Sequence, residues 1–139
     1  MGKHLLYRLF KAGALPREYK AVIEAEGIIL IDEGLQCSVT YKKYKAPGKY
    51  FRWKRRSYAG SLAVTKKRII MFAFHKPLLN VPFSDMKSKT IEVKTENHER
   101  LCISFDASEF DSKKSGTVEC RCTTPVANLF LDILKQRAS

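Results

Sequence analysis

The chain has 139 residues, and 26 Lys and Arg against 14 Asp and Glu leave a formal charge of +12 at pH 7. A single domain of about 150 residues buries roughly 70% of its unfolded surface, so a core forms without metal or disulfide staples. The 45% hydrophobic content excludes a disordered tail. The longest apolar runs, Ile28 to Ile31 and Ile69 to Phe74, fall far short of the ~18 to 20 residues that cross a bilayer. An excess of positive charge on this scale favours an anionic partner: a phospholipid surface, nucleic acid or an acidic protein.

At the N-terminus, Leu5, Leu6, Leu9 and Phe10 lie on one helical face while Lys3, Arg8 and Lys11 lie elsewhere, which predicts a short basic amphipathic helix. The interspersed charges leave no uninterrupted apolar stretch for export, and Leu6 stands where a myristoylation signal has Ser or Thr. The expectation is a cytoplasmic protein with reduced thiols. Gly13 and Pro16 end the first helix. A second is predicted from Arg17 to Ala25, with Tyr19, Val22 and Ile23 on one side and Gly27 as its terminator. Residues 1–26 therefore read as a helical segment preceding residues 27–139, the two making a single domain overall.

Beyond Gly27 the period changes to two. Leu35, Cys37, Val39 and Tyr41 alternate with polar residues, the pattern of a strand with one buried face, and Pro47-Gly48 turns the chain. A second long strand is predicted from Tyr50 to Val64, bent or bulged around Gly60, and a third from Arg68 to Phe74 after the tight link Thr65-Lys66-Lys67. Val81 and Phe83 give a short strand that Pro82 confines to an edge. Ile91 and Val93 pair with Leu101, Ile103 and Phe105 across a polar turn at Glu96 to Glu99. After a polar loop from Asp106 to Ser115, Val118, Cys120 and Cys122 mark the last strand. Thr124 then caps and Pro125 opens a terminal helix with the stripe Val126, Leu129, Phe130, Ile133 and Leu134. About seven antiparallel strands followed by one amphipathic helix predict a small barrel or bent sandwich whose open end the helix covers.

Two segments resemble a known family. Leu62-Ala63-Val64-Thr65-Lys66-Lys67-Arg68-Ile69-Ile70-Met71-Phe72 is similar to the hairpin of GRAM and bacterial pleckstrin-homology-like (PH-like) domains: an apolar strand, Thr, two polar residues, Arg and a second apolar strand. Val81-Pro82-Phe83-Ser84-Asp85-Met86 looks like the element that follows it there. With the strand order and terminal helix, the resemblance spans about Gly27 to Arg137. The only Trp is Trp53, not one in the terminal helix, which directs the match to the GRAM-like or bacterial branch. The resemblance implies a mainly β, PH-like barrel of about seven strands capped by a C-terminal helix, to which the helical pattern of residues 1–26 adds short N-terminal helices. It also implies a non-enzymatic binding role.

The charge is concentrated. Lys42, Lys43, Lys45, Lys49, Arg52, Lys54, Arg55, Arg56, Lys66, Lys67 and Arg68 lie within one stretch that holds no acidic residue. A turn at Pro47-Gly48 brings Lys42 to Lys45 alongside Lys49 to Arg56, with Tyr41, Tyr44, Tyr50, Phe51, Trp53 and Tyr58 interleaved. Each Lys or Arg near an anionic membrane contributes roughly 1 kcal/mol, and the candidate site is therefore Lys42, Lys43, Lys45, Lys49, Arg52, Trp53, Lys54, Arg55 and Arg56. In the resembling family's phosphoinositide binders the first hairpin carries a Lys, a spacer and then basic-x-Arg, a form that Lys45 with Lys54-Arg55-Arg56 matches. At this density of cations, an anionic surface without headgroup selectivity is the better expectation. That surface is the cytoplasmic face of a membrane, with peripheral attachment. The rivals are single-stranded RNA or DNA, with Tyr50, Phe51 or Trp53 stacking on bases, and a protein partner at a sheet edge or helix groove. A solvated edge hairpin whose lysines prevent aggregation is the plain alternative.

Other chemistry is sparse. Strand phase turns Cys37, Cys120 and Cys122 inward and Cys102 the other way, so no zinc site is expected; three cysteines pack as small hydrophobes and Cys102 is the reactive one. His4, His75 and His98 have no ligand spacing. Asp85 belongs to the structural Ser-Asp element, and Asp106, Glu109 and Asp111 lack the Gly and terminal Glu of a calcium loop. There is no nucleophile elbow, phosphate loop or metal-binding His pair, so neither catalytic residues nor a cofactor are expected.

Overall fold

The computed structural model describes residues 15–74, 76–88 and 90–138. The amphipathic segment expected over residues 5–10, and His4 and His75, lie outside them. Helix α1 (Arg17–Glu26) ends where Gly27 takes φ +88°, a left-handed conformation that glycine adopts without penalty. Strands β1 (Ile28–Ala46) and β2 (Lys49–Thr65) form a long hairpin around Pro47-Gly48. Then come β3 (Arg68–Ala73), β4 (Lys76–Pro82), the short helix α2 (Phe83–Ser88), β5 (Ile91–Glu96), β6 (Arg100–Asp106), β7 (Ser115–Thr123) and helix α3 (Ala127–Ala138).

All neighbours are antiparallel in one seven-stranded sheet of order β4-β3-β2-β1-β7-β6-β5. β7 returns to the free side of β1, joining a four-strand meander to a three-strand one. The sheet curls into a PH-like half-barrel. α2 packs on β4 and on α3, and α3 packs on β5 and β6, so the helices bridge the two edge strands. β4 is an edge strand, as Pro82 requires, although Phe83 opens α2 instead of ending the strand.

The concave face carries Leu35, Cys37 and Val39 of β1, Leu62 and Val64 of β2, Ile69 and Met71 of β3, and Leu101 and Ile103 of β6. Ala127, Phe130 and Leu134 of α3 close over it. Leu129, expected in the stripe, is 48% exposed whereas Phe130 is fully buried: the helix is rotated so that Ala127, Phe130 and Leu134 face the sheet at i, i+3 and i+7. Thr124 holds the entry to α3, its hydroxyl accepting from the Val126 N–H (3.3 Å) and donating to Asp32 Oδ2 (2.6 Å).

On the convex face α1 lies over β2 and β3. Leu15 and Ile23 pack with Ala63, Ile70 and Phe72, and the Tyr19 ring meets Phe72 edge-on at 5.1 Å. Burial on both faces explains why Ser61 to Thr65 is buried at every position, in contrast to the alternation of a one-faced strand. The Thr65 hydroxyl accepts from the N–H groups of Lys67 (3.1 Å) and Arg68 (3.2 Å) and donates to Glu26 Oε1 (2.9 Å). Arg68 completes a clamp with Glu26 Oε2 at 3.1 Å and Asn80 Oδ1 at 3.3 Å.

Among the described residues the sheet has four register irregularities. One lies near the start of β1 and one between β3 and β4; the two that bend the hairpin both put the extra residue in β1. Glu33-Gly34 oppose Ser61, and Lys43-Tyr44 oppose Gly116, each a bulge that bends the strand. The bend expected in β2 around Gly60 thus has its extra residue on the partner strand. Gly60 has a different role: a Cβ there would run into the Phe72 carbonyl and the Cys37 sulfur.

Two expectations about cysteine are corrected. Cys37 and Cys122 face each other in register across β1 and β7, with Cα atoms 4.2 Å apart, and are joined in a disulfide, so these two thiols are not reduced. Cys102 is fully buried despite its outward phase, because it sits opposite Arg121 and Lys94, whose long side chains cover that part of the convex face. Burial raises the Cys102 thiol above its ordinary pKa and pushes Cys120 up to about 12; neither is a reactive thiolate.

Candidate functional site: a two-faced basic hairpin

The register pairs Lys42 with Trp53, Tyr41 with Lys54, Thr40 with Arg55 and Val39 with Arg56, as a turn at Pro47-Gly48 dictates. Residues directly opposite in an antiparallel pair share a face, so the cations divide. Lys54 and Arg56 share the concave side with Tyr41 and Val39. Arg55 and Trp53 share the convex side with Thr40 and Lys42. Lys66, Lys67 and Arg68, counted with the hairpin in the sequence, lie at the opposite end of β2, where Arg68 clamps α1.

Local structure fixes several of these side chains. Lys43 takes φ +49° in the second bulge, which turns Tyr41 and Tyr44, three residues apart, to the same side. Their rings meet at 4.8 Å, and Phe51 stacks on Tyr44 at 5.9 Å with planes 13° apart. The Lys54 ammonium lies 4.4 Å from the centre of the Phe51 ring, a cation–π contact worth ~0.5 to 1 kcal/mol at an exposed site. Arg55 stacks over Trp53 at 5.4 Å and donates Nε–H to the Thr40 hydroxyl at 3.0 Å. Lys45 sits over Tyr50 at 5.8 Å. Burial, the largest influence, raises the Tyr41 hydroxyl above its ordinary pKa, with the nearby Arg56 opposing. Tyr41 is therefore a neutral phenol at pH 7.

The distal part of β2 is an open edge. β3 covers β2 only from Gly60 to Val64, leaving Lys49 to Ala59 partnered by β1 alone within the sheet. Tyr50 and Trp53 are each 58% exposed. Among the described residues, Lys42 is the one hairpin cation in an ion pair, with Glu119 Oε1 at 3.2 Å. Lys43, Lys45, Lys49, Arg52, Arg55 and Arg56 are exposed and Lys54 is half-buried.

The residues that sequence reasoning passed over lie beside the hairpin on the convex face. Arg121 of β7 donates Nε–H to Glu96 Oε1 at 3.0 Å and an Nη1–H to Glu119 Oε1 at 3.1 Å, and Arg100 lies 3.8 Å from Glu96. The Arg121 hydrogen bond holds the Glu96 carboxyl below its ordinary pKa. Burial pushes Glu119 up, but hydrogen bonds from Lys42 and Arg121 outweigh it and leave that carboxyl low as well. Period-two alternation marks Glu119 and Arg121 as outward-facing; that β1 would run beside them is not legible in the sequence.

Elsewhere, Asp106 is a local cap whose Oδ1 accepts from the Ser108 N–H at 2.8 Å and hydroxyl at 2.7 Å. His98 sits 3.1 Å from Asn128 Nδ2. Among the described residues no group of three or more His, Cys, Asp and Glu is arranged to hold a metal ion, and no helix is long and apolar enough to cross a membrane. No protein-family model matches the chain, and no curated protein matches it.

Proposed function

We propose that this protein is a non-enzymatic PH-like binding module of the GRAM or bacterial type that engages an anionic membrane surface through its β1–β2 hairpin. The observation that carries this reading is the distal half of the hairpin: eight Lys and Arg and no acid from Lys42 to Arg56, with Tyr50 and Trp53 exposed among them. Cations gain from the negative surface potential of a leaflet, and Tyr and Trp partition to its interface because each has an apolar body and a polar tip. The family reading is supported by the clamp that Thr65 and Arg68 make with Glu26, which gives the quoted hairpin motif a structural reason, and by the strand order. The attachment is peripheral, and the Cys37–Cys122 disulfide removes the reduced-thiol ground for assigning it to the cytoplasmic face.

The test is vesicle co-sedimentation with the full chain at low and at near-physiological salt. Vesicles containing anionic lipid are expected to bind and neutral ones not to, with steep weakening as the screening length falls to ~8 Å. Replacing Lys45, Lys49 and Arg52 by Gln removes three exposed charges, and at ~1 kcal/mol each lowers affinity up to about a hundredfold. Equal binding of wild type and variant to anionic vesicles refutes the hairpin as the membrane site. Tight, base-dependent binding of single-stranded RNA under the same salt replaces the membrane with nucleic acid.

A further inference from the structure

The convex face holds a second cationic feature, away from the hairpin tip. Ser38 of β1 faces Ser57 of β2 in register, and Gln36 of β1 faces Thr123 of β7. The three short hydroxyl side chains leave a depression, and together with Gln36 and three arginines they line a groove of about 390 Å³. Arg55 reaches in from β2, Arg121 from β7 and Arg100 from β6. The four strands from β2 to β6 span three interstrand spacings, about 14 Å, a width that arginine side chains entering from both sides can close.

The local charge does not cancel. Lys42, Arg100 and Arg121 pair with two carboxylates, Glu96 and Glu119, and Arg55 has no carboxylate in its contacts with Thr40 and Trp53, so four cations stand against two acids and two positive charges remain. Arg121 commits three of its five N–H groups to those carboxylates, and two remain for a ligand. Arg55 commits only its Nε–H, to Thr40, and the terminal fork of its guanidinium, which stacks over Trp53, has no hydrogen-bond partner among the described residues. Arg100 is 49% exposed and only loosely paired. Among the described residues no carboxylate lines the groove itself.

We infer that this groove binds a phosphomonoester group. A dianion matches the two uncompensated charges, and its three terminal oxygens accept from more than one guanidinium fork at once, which a carboxylate with two oxygens does less well. The hydroxyls of Ser38, Ser57 and Thr123 supply further donors along the groove. About 30 Å of extended strand separates Ser38 from the turn at Pro47, so the groove lies away from the hairpin tip and shares with the hairpin's cations only Arg55.

The probe is inorganic phosphate, titrated into the full chain by NMR or calorimetry at pH 8, where it is largely dianionic, with chloride at matched ionic strength as control. Wild type is expected to show saturable, phosphate-specific shifts. Arg100→Gln weakens the affinity about tenfold or more, and Ser57→Asp, which removes no arginine but places a negative charge in the lining, abolishes it. Lys49→Gln leaves it within about twofold, since that charge is far beyond the screening length. Vesicles carrying phosphatidate, a monoester, or phosphatidylglycerol, a diester, at equal charge identify the source. A phosphatidate preference that Arg100→Gln loses assigns the groove to a lipid headgroup, and soluble phosphate binding without that preference assigns it to a free phosphomonoester. Phosphate behaving like chloride with wild type, or undiminished binding by folded Arg100→Gln and Ser57→Asp proteins, overturns the inference. Loss of vesicle binding in the tip variant with phosphate binding intact separates this site from the hairpin reading.

Discussion

Phe130→Ala and Leu129→Ala are adjacent truncations on one helix, and the fold requires them to differ. Phe130 is fully buried between α3 and the sheet, whereas Leu129 is 48% exposed. Removing a buried Phe ring costs ~3 to 5 kcal/mol, through lost transfer energy and the cavity left behind. Removing a half-exposed Leu side chain forfeits about half of a ~1.5 to 3 kcal/mol burial and opens no closed cavity, so its cost is about 1 kcal/mol. For 139 residues the unfolding entropy is about 0.29 kcal/mol/K, so the two variants lower Tm by about 10 to 17 °C and about 3 °C respectively. Far-UV circular dichroism is the suitable probe, because the single Trp, Trp53, is exposed on the hairpin and reports poorly on the core. If Leu129→Ala costs as much as Phe130→Ala, or Phe130→Ala costs under about 1 kcal/mol, α3 does not cover the sheet in the orientation described.

The Glu96 and Glu119 carboxyls are held below their ordinary 4.5 in the fold, so their contribution is present in full above that value and is lost as pH falls through the lower folded-state values. The urea midpoint is therefore expected to be flat from about pH 7 to 5 and to fall below it, with a shallower fall in Glu119→Gln; an unchanged acid limb in that variant refutes the network. Native protein treated with an aromatic disulfide reagent should show no fast thiol, since Cys102 and Cys120 are buried with raised pKa values. Non-reducing peptide mapping should recover Cys37 joined to Cys122, and recovery of both as free thiols refutes the pairing. Gly60→Ala should destabilise by ~1 to 3 kcal/mol in denaturant unfolding, because the new methyl meets the Phe72 backbone.

The local pattern specifies the elements of this protein. Alternation over Leu35 to Tyr41 and Val118 to Cys122, the Pro47-Gly48 turn, the edge imposed by Pro82 and the cap at Thr124 are properties of short segments, and steric and hydrogen-bonding rules act on them directly. The hairpin's charge was equally legible, because adjacency across a tight turn follows from sequence alone. Pairing over long separations was not. The disulfide between Cys37 and Cys122, 85 residues apart, and the convergence of Arg55, Arg100 and Arg121 both depend on β7 closing against β1. The rotation of α3 that buries Phe130 and exposes Leu129 follows from the sheet it meets, since a helical stripe wide enough to bury five residues permits more than one docking angle. Cys102 shows the same dependence: strand phase sets the face it points to, but only the neighbouring strands decide that long side chains cover that face.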